Sequence, residues 1–264
     1  MLIDFHTHVF PDVVARKVLP DLFANAGDKF VPASDGTVSG LIKNMDDWGV
    51  DISVIHPVIT KQSQFKNVNE WTAGLRSDRI VCFGGIYPYT DDFKRDIDFV
   101  VSLGAKGLKF HPEYQGFTVD SEHMLRVYDY ALSRGLILLF HAGKDEAYLP
   151  PPNSSPEQFV KIAEAVRGGA IVLAHMGGFK QWDDVEKYLA GSEFYFDTST
   201  GFEFFTQDQF LRILKKHGAD KILFASDSPW SKAGTAIKRL RSLPVSESDV
   251  ESILGGNAKT LLGL

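Results

Sequence analysis

Eight short apolar runs, each followed by a longer amphipathic segment, set the strongest limit on what this chain of 264 residues can fold into. The runs span residues 2–9, 52–58, 80–88, 105–112, 136–143, 170–177, 194–199 and 222–227. Each is rich in β-branched or aromatic residues and is followed by Gly, Pro, Asp or Ser, the signature of a buried strand. Between them, residues 39–48, 69–77, 91–103, 121–134, 156–166, 181–189, 207–217 and 233–242 carry apolar side chains at three- and four-residue spacing, as helices do. Asp91 and Ser121 suit N-caps, and Pro156 suits a first helical position. Gly49, Gly104, Gly135, Gly168 and Gly218 suit helix stops. Residues 246–254 add one more helix. Eight strand-then-helix units in series predict an α/β fold, a (β/α)8 TIM barrel forming a single domain over residues 1–264 with a short additional C-terminal helix. The structural rival is an open doubly wound sheet, but the G-x-G-x-x-G turn after the first strand is missing.

A chain of this length buries a large core without disulfides or a structural metal, so a bound metal would serve chemistry. The net charge of -6 argues against non-specific nucleic-acid binding, while leaving room for a local site for a small anion. The single cysteine, Cys82, cannot form an internal disulfide, which fits a reducing compartment. The start of the chain lacks a signal-peptide pattern, and no run approaches the roughly 20 apolar residues of a membrane span. The expectation is a cytoplasmic protein with a small-molecule substrate and neither nucleic acid nor membrane as partner. Self-association is not legible in the sequence. Residues 10–38 and 142–155 read as long irregular loops, the second broken by Pro150, Pro151 and Pro152.

Six of the eight histidines fall at or near the C-terminal ends of strand candidates: His6, His8, His56, His111, His141 and His175. Parallel barrels build their active sites at that end. His123 and His217 lie in helical segments and read as solvated. His6 and His8, two residues apart, share a strand face by alternation, with Phe5 and Thr7 on the other. Asp4 has the same parity and reads as a deeper, hydrogen-bonded structural carboxylate. Two inward imidazoles need hydrogen-bond partners or a metal. Asp227 follows a wholly apolar strand and precedes a Pro turn; facing the histidines it reads as a ligand or general base. Imidazoles with one carboxylate suit Zn²⁺, with Mn²⁺, Fe²⁺ and Co²⁺ as alternatives.

Together, Ile3-Asp4-Phe5-His6-Thr7-His8, Phe140-His141, Ala174-His175-Met176-Gly177-Gly178 and Ala225-Ser226-Asp227-Ser228-Pro229-Trp230 resemble the amidohydrolase superfamily. The similarity is to its amidohydrolase-2 branch, which contains aminocarboxymuconate-semialdehyde decarboxylase, other decarboxylases and hydrolases. The tail, with Asn257-Ala258, resembles that branch too, so the likeness covers nearly the whole chain. The resemblance implies one divalent ion, zinc foremost, held by His6, His8, His141 and Asp227, with His175 as acid/base. A carboxylated Lys109 bridging two metals, as in binuclear relatives, is the lesser alternative to a charged Lys109 that binds substrate. TatD-type nucleases also begin with H-x-H, but they carry a metal-binding Glu where this chain has Lys109.

From this set the sequence favours a metal-dependent hydrolase. A metal-activated water would attack the carbonyl of an amide, cyclic amide, lactone or ester, with Asp227 and His175 catalytic. The alternative is metal-dependent, non-oxidative decarboxylation of a small unsaturated or aromatic carboxylate, which needs a cation such as Lys109 or Lys144 beside the metal. A non-catalytic metal-binding barrel is the third reading. Lys109, His111, His56 and Trp230 are the expected substrate-binding residues. Phe10, Tyr114, Phe117, Tyr148, Phe202, Phe204, Phe205 and Trp230 suggest an apolar or planar substrate.

Overall fold

In the computed structural model, described for residues 1–27 and 30–264, eight parallel strands close a barrel. They are β1 (Ile3–Thr7), β2 (Ile52–Ile55), β3 (Ile80–Cys82), β4 (Gly107–Phe110), β5 (Ile137–Phe140), β6 (Ile171–Leu173), β7 (Tyr195–Asp197) and β8 (Ile222–Leu223). Each lies inside one of the eight apolar runs and is shorter than its run. The strands pair in two arcs, β1-β2-β3 and β4-β5-β6-β7-β8. Isolated parallel bridges, Gly84 with Leu108 and Thr7 with Ser228, join the arcs into a ring.

Alternation sorts the side chains. Leu108, Phe110, Leu138, Phe140, Phe196 and Phe224 pack with helix residues such as Val127, Phe159 and Ile213 in one large apolar cluster. The opposite strand faces supply Ile3, Phe5, Val54, Phe83, Leu139, Val172 and Leu223 to a second cluster inside the barrel, with Ala258 and Leu262 from the last helix, Asn257–Leu262. That interior layer fills the N-terminal part of the barrel and leaves its other end for polar groups. Full burial of each large side chain contributes about 1.5–3 kcal/mol.

Several helices start and stop as their sequences dictate. Val38–Trp48 opens at Thr37, whose side chain accepts a hydrogen bond from the Gly40 amide, and closes at left-handed Gly49 (φ 68°). Gln207–His217 opens at Thr206 and gathers Lys215, Lys216 and His217 in its last turn, against the negative end of the helix dipole. No helix among the described residues is long and apolar enough to cross a membrane.

The structure corrects the sequence reading in five places. Residues 10–38 are not all loop: Asp12–Ala26 is a helix, while residues 28 and 29 of that stretch lie outside the described residues. No side chain caps this helix, Pro20 lies inside it and only Ala15 and Leu19 are buried, so its periodicity is faint. The second expected helical segment, residues 69–77, runs earlier, over Phe65–Ala73. The tail continues past residue 254 through a π-helical turn, Ser252–Gly256, to Leu262. His217 is not solvated: it stacks on Phe196 at 3.8 Å, and its Nδ1 accepts from the Gly191 amide. Burial lowers its pKa to about 4.

The fifth correction concerns β1. Its register on β2 is Ile3 to Ile52 and Asp4 to Ser53, but then Thr7 to Ile55, so β1 carries one extra residue. This bulge breaks alternation. Phe5 turns into the interior cluster, beside Phe83, instead of away from it. Asp4 faces the helix layer, lining a small cavity with Leu41, Asn44, Met45 and Ala233. Its carboxylate accepts from Ser226 N (2.8 Å) and Ser226 Oγ (2.6 Å), and burial raises its pKa to about 7.

Gly107 opens β4 where a side chain has no room: a Cβ there would lie 2.2 Å from the Ile137 carbonyl oxygen and 2.4 Å from the Phe83 ring. Gly107→Ala is expected to lose about 1–3 kcal/mol of stability. Urea unfolding followed by circular dichroism measures this, and an unchanged midpoint would contradict the packing described.

Candidate active site

The bulge that turns Phe5 inward also aims His6 into the barrel mouth, where His8 and Asp227 meet it. His6 Nε2 lies 3.1 Å from His8 Nε2, and Asp227 Oδ1 lies 3.6 Å from the first and 3.4 Å from the second. The protons of both rings are accounted for elsewhere. His8 Nδ1 is 2.7 Å from the carbonyl oxygen of His56, which can only accept, so His8 carries its proton on Nδ1. His6 Nδ1 is 2.9 Å from Asp197 Oδ2 and donates to it. The Nε2 lone pairs of both imidazoles and a carboxylate oxygen therefore converge, with the Lys109 ammonium 2.8 Å from His6 Nε2. Such an electron-rich triangle favours a cation among its three atoms. Its edges match ligands held at 2.0–2.1 Å around a tetrahedral ion, which lie roughly 3.3 Å apart. The residues fit a divalent metal in donor chemistry and in spacing.

The electrostatics agree. Burial and the neighbouring Lys109 hold His6 neutral, its pKa well below the ordinary range. Burial pushes Asp227 up, but its polar neighbours, the Lys109 ammonium among them, outweigh it and keep the pKa at about 2. Thr200 Oγ1 donates to the other Asp227 oxygen at 2.6 Å. Asp227 (φ 62°), Thr200 (φ 49°), His175 (φ 58°) and Met176 (φ 54°) all sit in the left-handed region. Non-glycine residues are held there at a cost of about 1–3 kcal/mol each, and such strain gathers at functional sites.

Lys109 is the buried cation of the site. It is 1% exposed, and its Nζ donates to His6 Nε2 at 2.8 Å. Burial lowers its pKa to about 8, against the pull of Asp227 and Asp197. Lys144, the other candidate cation, is exposed on the loop after β5.

His141 and His175 form an adjoining pair. His175 Nε2 and His141 Nδ1 are 3.0 Å apart, and His141 Nε2 lies 3.1 Å from the Lys144 carbonyl. Both nitrogens of His141 are thus engaged outside the His6–His8–Asp227 triangle. His111 and Asp145 flank His141, with His111 Nε2 at 3.5 Å from Asp145 Oδ2. His111, His141 and Asp145 make a poor metal site as they stand. The His111 and His141 rings are stacked, 4.3 Å apart and 13° from parallel, and in-plane lone pairs of stacked rings do not aim at one ion.

The remaining expected residues divide. His56 is buried, its Nε2 donating to the Phe5 carbonyl at 2.7 Å and its ring against Phe83 and His6. Trp230 lies over Phe23 at 4.4 Å, and its amide donates to the Asp227 carbonyl. Tyr114 packs edge-on against His111 and Tyr148, at the mouth. Phe117, Phe202 and Phe205 are not mouth residues but members of the large core cluster. Asp197, Ser199 and Thr200 were not singled out from the sequence. The only signal was an acid closing a short apolar strand, the same signal that marked Asp227.

Fold and site together define a parallel barrel with a metal-competent histidine–aspartate centre at its C-terminal mouth. The chain belongs to the amidohydrolase family Amidohydro_2, whose model matches residues 3–264. Solved structures share the fold at low identity. The uncharacterized TIM-barrel protein Bb4693 of Bordetella bronchiseptica is 17% identical with a TM-score of 0.78, covering 99% of this chain and 98% of its own. The 5-carboxyvanillate decarboxylase LigW of Sphingomonas paucimobilis is 17% identical with a TM-score of 0.72, covering 100% and 99%. A dihydroxybenzoic acid decarboxylase of Polaromonas, solved with manganese and 2-nitroresorcinol, is 17% identical with a TM-score of 0.69, covering 100% and 97%. No curated protein matches the chain in sequence.

Protein purified without chelator is expected to carry one divalent ion per chain, with occupancy falling sharply in His8→Ala and Asp227→Asn. Elemental analysis measures both. Two ions per chain, with added mass on Lys109, would replace this reading by a lysine-bridged pair.

Proposed function

We propose that the protein is a metal-dependent, non-oxidative decarboxylase of a small aromatic or unsaturated carboxylate. The observation that carries this reading is Lys109: a fully buried ammonium in contact with the metal-competent triad. Placing a lysine there costs desolvation, and a bound carboxylate offsets it. Hydrolysis of a neutral amide or lactone has no use for such a charge, so the preference drawn from the sequence reverses. The named decarboxylases that share the fold support the same reading.

His6, His8 and Asp227 would hold the ion, and His141 would be the candidate for a fourth ligand. When bound, the metal supplies a Lewis acid that draws electron density from an oxygen substituent of the substrate. The residues do the rest. Lys109 binds and orients the carboxylate. Tyr114 and Tyr148 exclude water and face a planar substrate. The bond from the substrate carbon to the carboxylate breaks, CO₂ leaves, and the electron pair stays on the conjugated carbon. His175, its Nδ1 held by the Ser199 carbonyl at 3.0 Å, delivers a proton to that carbon and regains one from solvent. Asp227, ionised near neutrality, remains a ligand and a proton acceptor.

Purified enzyme incubated with aromatic and muconate-like carboxylates is expected to release CO₂. Acid release from lactones or amides without CO₂ would restore the hydrolase reading, and a metal-loaded protein inert to both panels would favour a binding role. Lys109→Met is expected to abolish CO₂ release with metal content unchanged; retained decarboxylation removes the role given to that lysine. His175→Asn is expected to keep the metal and lose about 10²–10⁴-fold in kcat. Loss of metal in that variant would instead make His175 a ligand.

A further inference from the structure

Asp197 closes β7 with its side chain fully buried, and every hydrogen-bonding partner around it is a donor. Oδ2 accepts from His6 Nδ1 at 2.9 Å. Oδ1 accepts from the His175 amide at 3.0 Å, from the Ser199 amide at 2.9 Å and from Ser199 Oγ. Ser199 Oγ in turn lies 3.0 Å from His175 Nδ1, and the Met176 amide donates to the Asp197 carbonyl. The two faces of one carboxylate thus hold two different things. One fixes the ring of a metal-competent histidine on β1. The other holds the strained, left-handed backbone at His175 and Met176 that aims the acid/base after β6.

We infer that Asp197 is the positioning residue that couples metal binding to the geometry of His175, by forcing His6 to keep its proton on Nδ1 and its Nε2 lone pair free for the ion. This rests on the metal-centre part of the proposed function and not on which reaction follows. The argument is one of donors and acceptors. Backbone amides cannot invert, so the Oδ1 position must remain an acceptor. An asparagine at 197 would therefore turn its NH₂ toward His6. Facing a donor, His6 Nδ1 must become the acceptor, and the ring proton moves to Nε2. That nitrogen then points a hydrogen at His8, Asp227 and the Lys109 ammonium instead of a lone pair. The shape of the site survives while the tautomer is wrong, the same failure that an Asp-to-Asn change produces behind a catalytic histidine. Groups that orient a metal-bound imidazole in this way typically govern affinity by about 10–100-fold.

The test is Asp197→Asn on the full chain, with two readings. Metal affinity, from titration of the metal-free protein with Mn²⁺ or Zn²⁺, is expected to fall about 10–100-fold. Nitrogen-15 NMR of the His6 imidazole is expected to show the Nδ1–H tautomer in the metal-free wild type and the Nε2–H tautomer in the variant. Ser199→Ala supplies the contrast: it removes the hydroxyl that bridges Asp197 Oδ1 and His175 Nδ1 and leaves the Oδ2 bond to His6, so kcat is expected to fall with metal affinity unchanged. Wild-type metal affinity in Asp197→Asn overturns the inference. So does an Nε2–H His6 in the metal-free wild type, a measurement that stands even if the variant fails to fold. A wild type that binds no metal at all would count against the metal centre itself, a different result from equal binding by both proteins.

Discussion

One extra residue in β1 is the constraint on which the rest of the site depends. Without the bulge, strict alternation would place Phe5 and His6 on opposite sides of the strand. With it, Phe5 seals the barrel interior while His6 turns into the mouth above it. The carbonyl that the bulge takes out of the ladder does not go unpaired, since His56 donates to it at 2.7 Å. The backbone of His56 then accepts from His8 Nδ1. A single irregularity thus fixes the orientation of both histidines, through one partner just after β2, before any ligand arrives.

The strand ends complete the arrangement by a different device. At β6 and β8 the chain leaves the ladder through left-handed non-glycine residues, His175 and Asp227, and just after β7 through Thr200. Each is clamped by hydrogen bonds to its neighbours: His175 by Asp197, Asp227 by the His6 carbonyl and by Thr200. The mouth is therefore built from strained turns that brace one another. It is polar and electron-rich on the β1 and β8 side, cationic at Lys109, and walled by Tyr114 and Tyr148 on the side of β4 and β5.

Much of this was legible in the sequence because it rests on periodicity. Eight apolar runs give eight strands, and a histidine or aspartate at the end of a run reaches the mouth, which is why His6, His8, His141, His175 and Asp227 stood out together. What was not legible depends on distances or on single-residue shifts. A bulge leaves no compositional trace, so Asp4 read as an interior residue although it faces the helix layer. Asp197 was not singled out, and only its four donors reveal its place in the site. His217 lies on a helix face whose burial depends on Phe196, far from it in sequence. The choice between the two chemistries turned on how deeply Lys109 is buried and what it touches, and a strand pattern carries neither.

The ring of strands is continuous within its two arcs but joined between them by little more than the bridges at Gly84–Leu108 and Thr7–Ser228 and the few backbone hydrogen bonds beside them. His6 and His8 belong to the first arc, whereas Lys109, Asp197 and Asp227 belong to the second or follow it. Every contact these residues make with the two histidines spans the join. The active site is in this sense a clasp: the groups that would do chemistry also fasten the half-barrels. An ion shared by His6, His8 and Asp227 would tie the two ends of the sheet where the ladder is thinnest, making occupancy of the site a matter of mechanical closure as well as of reactivity.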